Sequence, residues 1–272
     1  MSLKKHVRIS VASLLLGVSL MFSGCGGSSQ TSDTPKSESA PSAPAGGAKG
    51  GIPIPTSGSK IVGSVTFEGS IPNLKEIDMA DEPVCSKHWT DQTLSPVSEA
   101  LVLGSNNTIA NVFLSITGGP SGGPYAPSPV PVEIDQKGCK YSPHVFAVMK
   151  GQNVIFTNSD GVLHNVHALP NKNREFNLAM PGSMKVAKPR SFKKTEGMFK
   201  IKCDKHPWMS SYAAVLDHPF FDVTGKDGSY EIKGLPAGTY VIEAWHEKMG
   251  SRSSSVTVAA NETQTVDFTF SK

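Results

Sequence analysis

Residues 202–212 read Lys-Cys-Asp-Lys-His-Pro-Trp-Met-Ser-Ser-Tyr, which sets Cys203, His206 and Met209 at three-residue intervals. A thiolate, an imidazole and a thioether are the softer metal-binding groups of proteins. Pro207, between the last two, forbids an ordinary helix through the stretch. Two readings stand side by side: a metal-binding loop, or a turn of a β-protein that carries a buried thiol. Upstream, His164-Asn165-Val166-His167 supplies further imidazoles. His88, His144, His218 and His246 are scattered singly, a pattern that suits packing and hydrogen bonding better than a second metal site.

The chemistry needs a compartment. Lys4, Lys5 and Arg8 precede an apolar run from Val11 to Phe22. That run is too short to span a bilayer and has the flanks of a signal peptide over residues 1–24. It ends in Phe-Ser-Gly-Cys25, which resembles a bacterial lipoprotein lipobox, with Phe22 in place of the usual aliphatic residue. Cys25 is then the lipidated first residue of the mature chain. Gly26 follows, with no Asp to suggest retention at the inner membrane, so the expected place is the outer membrane, facing the periplasm. Residues 25–58 are rich in Gly, Ser, Pro, Ala and Thr and cannot bury enough apolar surface to offset their ordering entropy. They read as a tether. Net charge is +3, and no basic stripe with interleaved aromatics suggests nucleic acid. Export also permits disulfides. With Cys25 lipidated and Cys203 in the loop, Cys85 and Cys139 remain, and they are expected to pair.

Short alternating apolar runs bounded by Gly, Pro, Asn and Asp fill the chain after residue 58 and predict an all-β protein. Long helical periodicity is absent, and Leu178 to Lys188 reads as a loop or a single turn. The C-terminal segment carries Asp227-Gly228, which favours a tight turn between strands, and a second turn at Pro236-Ala237-Gly238. Its sequence resembles carboxypeptidase regulatory-like domains, small transthyretin-like β-sandwiches. The opening strands of such a domain are found far upstream, at "IVGSVTFEG" and "NVFLSITGG". The expected organisation is therefore a first part of that sandwich at 59–125, a second domain at 126–217, and the rest of the sandwich at 218–272. Insertion is tolerable because domain termini tend to lie close together. Two consecutive domains with a boundary near 217 is the rival arrangement.

The 126–217 segment, with "KGQNVIFTN", "HNVH", "GMFKIKC" and the Cys-x-x-His-x-x-Met loop, resembles the cupredoxins, Greek-key sandwiches that carry one copper. The resemblance implies a mononuclear type 1 copper site with His164 and His206 as imidazole ligands, Cys203 as thiolate and Met209 as axial sulfur. It also implies that Asn165 hydrogen-bonds across to the cysteine loop and that the ring edge of His206 sits near the surface as the point of electron exchange. Pro207 and Trp208 then form part of an apolar docking patch; for Trp208, core packing or an interdomain contact is the alternative. His167 should face away from His164, since side chains alternate along a strand. A dinuclear copper centre needs two bridging cysteines and a c-type haem needs Cys-x-x-Cys-His, and neither pattern is present. Zinc prefers four strong ligands, and methionine is a poor fourth.

The implied function is a blue-copper electron carrier anchored in the bacterial cell envelope, passing single electrons between transient redox partners. An enzyme is not expected, because copper oxidases and nitrite reductases carry extra copper sites fed by more histidines, and the ligand set of His164, Cys203, His206 and Met209 is saturated. Two alternatives remain: copper handling, in which binding is the function, and an envelope interaction module with a silent metal site.

Overall fold

A computed structural model describes residues 51–92, 96–120 and 122–271. The signal segment, Cys25 and most of the tether lie outside these residues. The described chain is all-β apart from one helix of eight residues, Pro83–Thr90, and a three-residue 3-10 turn. Among the described residues no helix is long and apolar enough to cross a membrane.

Two pairs of sheets divide the strands. In the first pair, Ser59–Glu68 is flanked by Ser229–Leu235 on one side and by Thr263–Thr265 and Phe268–Ser271 on the other. The facing sheet runs Phe221–Val223, Phe113–Gly118, Gly238–His246, Gly250–Val258. Alternation along Gly238–His246 puts Tyr240, Ile242 and Ala244 inside, where they meet Ile61, Val65, Leu114 and Phe270. Burying side chains of this size contributes on the order of 2 kcal/mol each. Gly63 shares the inward face with Ile61 and Val65, and a Cβ there would lie 1.9 Å from the Val266 carbonyl oxygen. Glycine is what lets the strands approach.

The second pair is built only from strands between 132 and 216. One sheet has the order Phe176–Met180, His164–Leu169, Glu196–Lys202, Ser210–Leu216, Val145–Met149. The other has Arg190–Ser191, Asn153–Asn158, Val132–Gln136, Tyr141–Ser142. Ile134, Phe146, Val148, Phe156, Val166 and Ile201 fill the space between them. A smaller cluster joins the two cores, with Phe113 of the first packed against Val145, Ala147 and Ala214 of the second.

Two local features differ from the sequence expectation. Leu178 does not lie in a loop: Phe176–Met180 is a strand paired in antiparallel register with His164–Leu169. Four of its five residues are apolar, Ala179 on the exposed face among them, so the alternation is blurred in the sequence. The Pro83–Thr90 helix, with Pro83 in its first turn, is too short to leave helical periodicity.

Candidate metal centre

Two neighbouring strands converge on the loop read first. His164 opens one strand and Cys203 follows the end of its neighbour, Glu196–Lys202. The loop then folds back on itself: the Met209 amide donates to the His206 carbonyl (3.0 Å) and the Cys203 amide to the Met209 carbonyl (3.1 Å). This closure holds Cys203, His206 and Met209 on one buried face, at 2 %, 1 % and 1 % exposure.

His164 Nδ1 lies 2.9 Å from His206 Nδ1, and His206 Nδ1 lies 3.6 Å from Cys203 Sγ. Ligand atoms of all three residues fall within 4.8 Å of one another. Each imidazole turns its other nitrogen to a carboxylate. His164 Nε2 is 2.9 Å from Asp160 Oδ2, and His206 Nε2 is 3.3 Å from Glu82 Oε2. An ionised carboxylate only accepts, so each Nε2 carries the hydrogen and each Nδ1 presents a lone pair inward. Two acceptors facing each other beside a sulfur call for a cation or a proton between them. Carboxylate-oriented imidazoles with a thiolate are a donor set suited to copper or zinc, and the buried thioether of Met209 beside them favours copper.

Without a metal the occupant is a proton, held on His164 Nδ1 beside the Cys203 sulfur. Burial pushes the Cys203 thiol up, but hydrogen bonds to His164, to His206 and from the Asn165 amide outweigh it and bring it to about 6. Burial alone would push His164 down; its bonds to Asp160 and Cys203 reverse this and raise it to about 9. Asp160 is also an anchor, accepting from the amides of Gly138 (2.6 Å) and Cys139 (2.8 Å).

Cys139 is bonded to Cys85, the pair expected from the cysteine count. This disulfide lies against the site, with Cys85 Sγ 4.0 Å from His206 Nε2. The helix that carries Cys85, and Glu82 just before it, therefore cover the outer edge of His206. Trp89 Nε1 donates to the Gly138 carbonyl (2.9 Å) and fastens the same segment. The implied exposure of the His206 ring edge is thus corrected: the ring is buried beneath a disulfide-latched strap. Trp208 is half-buried, donates to the Cys139 carbonyl (3.2 Å) and packs with Met79, Cys85 and Cys139. Pro207 alone of the two remains exposed.

Asn165 makes its implied bond to the cysteine loop through the backbone. Its backbone amide donates to Cys203 Sγ (3.3 Å), while its side chain reaches Asn177 (3.1 Å) rather than the cysteine loop. Asn177 in turn donates to Asp204 (2.6 Å), so the link to the loop has one more member. His167 points away from the cluster to Asp204 and Glu175. Among the described residues, no grouping of metal-binding side chains includes His88, His144, His218 or His246.

Comparison with known proteins adds the following. Residues 219–271 match the carboxypeptidase regulatory-like domain. No curated protein matches the chain. Similar solved structures include a copper-containing nitrite reductase from Thermus scotoductus (22 % identity, 34 % of this chain and 23 % of that chain, TM-score 0.29). They also include a purple cupredoxin from Nitrosopumilus maritimus (24 %, 31 % and 98 %, TM-score 0.26). A Cu(I) form of an amicyanin mutant is a third (24 %, 31 % and 81 %, TM-score 0.28). The chain thus spans under a quarter of the nitrite reductase.

Asp160 and Glu82 escaped the sequence reading. Asp160 stands in an Asp-Gly pair that signals a turn, and its spacing of four from His164 is the one hint it leaves. Glu82 leaves none, since it reaches His206 across 124 residues of chain.

Proposed function

We propose that the protein is a single-electron carrier built on one mononuclear copper site, with His164, Cys203, His206 and Met209 as ligands. The observation that supports this is the orientation of the two imidazoles, each held by a carboxylate and presenting Nδ1 beside the Cys203 sulfur in a buried pocket. Copper bound there would cycle between its two oxidation states. The chain's part is to keep the donors still. The backbone closure of the 203–209 loop, the Asn165 amide on Cys203 Sγ and the Asp160 anchor all limit movement when charge changes. On this reading residues 126–217 are a cupredoxin-like domain set into a regulatory-like sandwich, supported by the pairing of Ser59–Glu68 with strands beyond 229. The protein is exported, anchored through Cys25 and exchanges electrons with transient partners in the cell envelope; it is not an enzyme. The Cys85–Cys139 disulfide suits such an oxidising compartment.

The test is the optical and spin-resonance spectrum of the copper(II) protein. An intense visible band that disappears in Cys203→Ser, with folding retained, is the expected result. A wild-type protein that takes up copper without such a band overturns the reading.

One observation favours copper handling as a second reading: His206 has no exposed edge through which a partner could draw an electron. Tight copper binding combined with slow electron self-exchange would select it.

A further inference from the structure

The stretch 172–194 holds seven Lys or Arg residues and one acidic residue, giving +6 in a chain whose total is +3. Five of these cations line one groove of about 940 Å³, with Lys172 and Arg174 on one wall and Arg190, Lys193 and Lys194 on the other. All five are exposed. None forms an ion pair with a described carboxylate. The one carboxylate in the lining, Glu175, is engaged by His167 at 3.0 Å. The groove is therefore a concave positive surface: its five cations outnumber the two carboxylates beside them, Glu175 in the lining and Glu196 beneath it, by three.

Its walls are fixed from below. Glu196, 7 % exposed, accepts from the amides of Asn171 (2.8 Å), Lys172 (3.0 Å) and Asn173 (3.1 Å). Asn173 then crosses to the other wall, its Oδ1 accepting from the amides of Lys193 (2.7 Å) and Lys194 (2.9 Å). Phe176 and Phe192 stack at 6.3 Å between the walls, and the Arg190 guanidinium lies 4.5 Å over Phe176. Like charges are thus held close together by a buried carboxylate and an amide, a cost that an anionic ligand would offset. The groove sits at the end of the His164–Leu169 strand remote from His164, since Phe176 pairs Ala168 while Met180 pairs His164. Four residues at about 3.3 Å each put it roughly 13 Å along the strand from His164, so the feature is separate from that site.

We propose that this groove binds a soluble oligophosphate anion, with phosphates bridging the two walls. Guanidinium forks on both walls suit the bidentate recognition of phosphate oxygens. Five cations less these two carboxylates leave an excess of three positive charges, which calls for a ligand with several negative charges rather than one. The proposal is independent of the metal.

The test is calorimetric titration of the full chain with inorganic tripolyphosphate at physiological ionic strength. Saturable one-to-one binding is expected, weakened about tenfold or more in Arg174→Ala/Arg190→Ala, in keeping with the loss of charge-assisted hydrogen bonds. The melting temperature of that variant should stay within about 4 °C of the wild type, the most that loss of the Arg190–Phe176 contact accounts for. Lys185→Ala/Lys188→Ala, which removes the same net charge outside the groove, should bind as the wild type does. Equal weakening by both pairs would reduce the effect to net charge and overturn the proposal. So would the absence of saturable binding, or binding to phosphatidylglycerol vesicles without binding to tripolyphosphate.

Discussion

At the scale of single residues, the functional geometry rests on carboxylates that hold other groups in place. Glu196 accepts three backbone amides and the Asn173 side chain. Glu196→Ala leaves those donors without their partner and should cost about 2–4 kcal/mol, measured by urea unfolding. A loss below 0.5 kcal/mol would mean that water replaces the carboxylate. A second residue sets a pH dependence. Burial holds His246 down to about 4, the Glu247 carboxylate pulling it up and His144 and Lys248 pushing it further down. The unfolded chain, with an ordinary value of about 6.5, takes up this proton first as pH falls. The His246 contribution to stability is therefore complete above about pH 6.5 and is lost progressively towards about pH 4. In His246→Asn, where the side-chain oxygen can still accept from the Lys248 amide, the drop in melting temperature between pH 7 and pH 5 should shrink. The sequence showed Cys203, His206 and Met209 because they are neighbours in one loop, and His164 because it stands beside Asn165 in a recognisable strand opening. It concealed Asp160, whose type also serves turns, and Glu82, whose contact is wholly non-local.

At the scale of elements, the unexpected part is the strap formed by Glu82 and the Pro83–Thr90 helix. The cysteine count pointed to the Cys85–Cys139 bond but could not place it, since pairing says nothing about what lies beneath. Alternation made most strands legible because one face of each is buried. It failed for Phe176–Met180, which has both faces partly open. The disulfide closes a loop with a sequence separation of 54, worth about 4 kcal/mol in lost unfolded-state entropy. Cys85→Ser/Cys139→Ser should lose stability of that order. In the metal-free protein it should also alkylate Cys203 faster and exchange the helix amides sooner. Unchanged Cys203 reactivity would show that Trp89 and Trp208 hold the strap without the bond.

For the whole molecule, the question is how two cores behave as one. Glu247, at the β-turn after Gly238–His246, accepts from His144 (2.7 Å) and from the Tyr212 hydroxyl (3.0 Å), both on the other sandwich. With the small cluster around Phe113 and Ala214, this is the polar half of their contact. Glu247→Ala should cost about 2–3 kcal/mol and broaden or split the calorimetric transition as the cores uncouple. A single transition of unchanged width would mean that the apolar cluster suffices. The all-β class was legible throughout, because Gly- and Pro-bounded runs dominate. The joint was not, since its contacts join residues 35 and 103 positions apart that no local pattern links.

The latched strap also favours an order of assembly. Cys203 and His206 are at most 2 % exposed once it is closed, so an incoming ion reaches them faster while Cys85 and Cys139 are still thiols than through local opening of the closed strap. Early capture of Cys203 would in turn remove the one other thiol among the described residues able to mispair with either. Refolding of the reduced chain with zinc as a redox-inert stand-in should then raise the yield of the native cross-link, and an equal yield without it would show that the strap closes first.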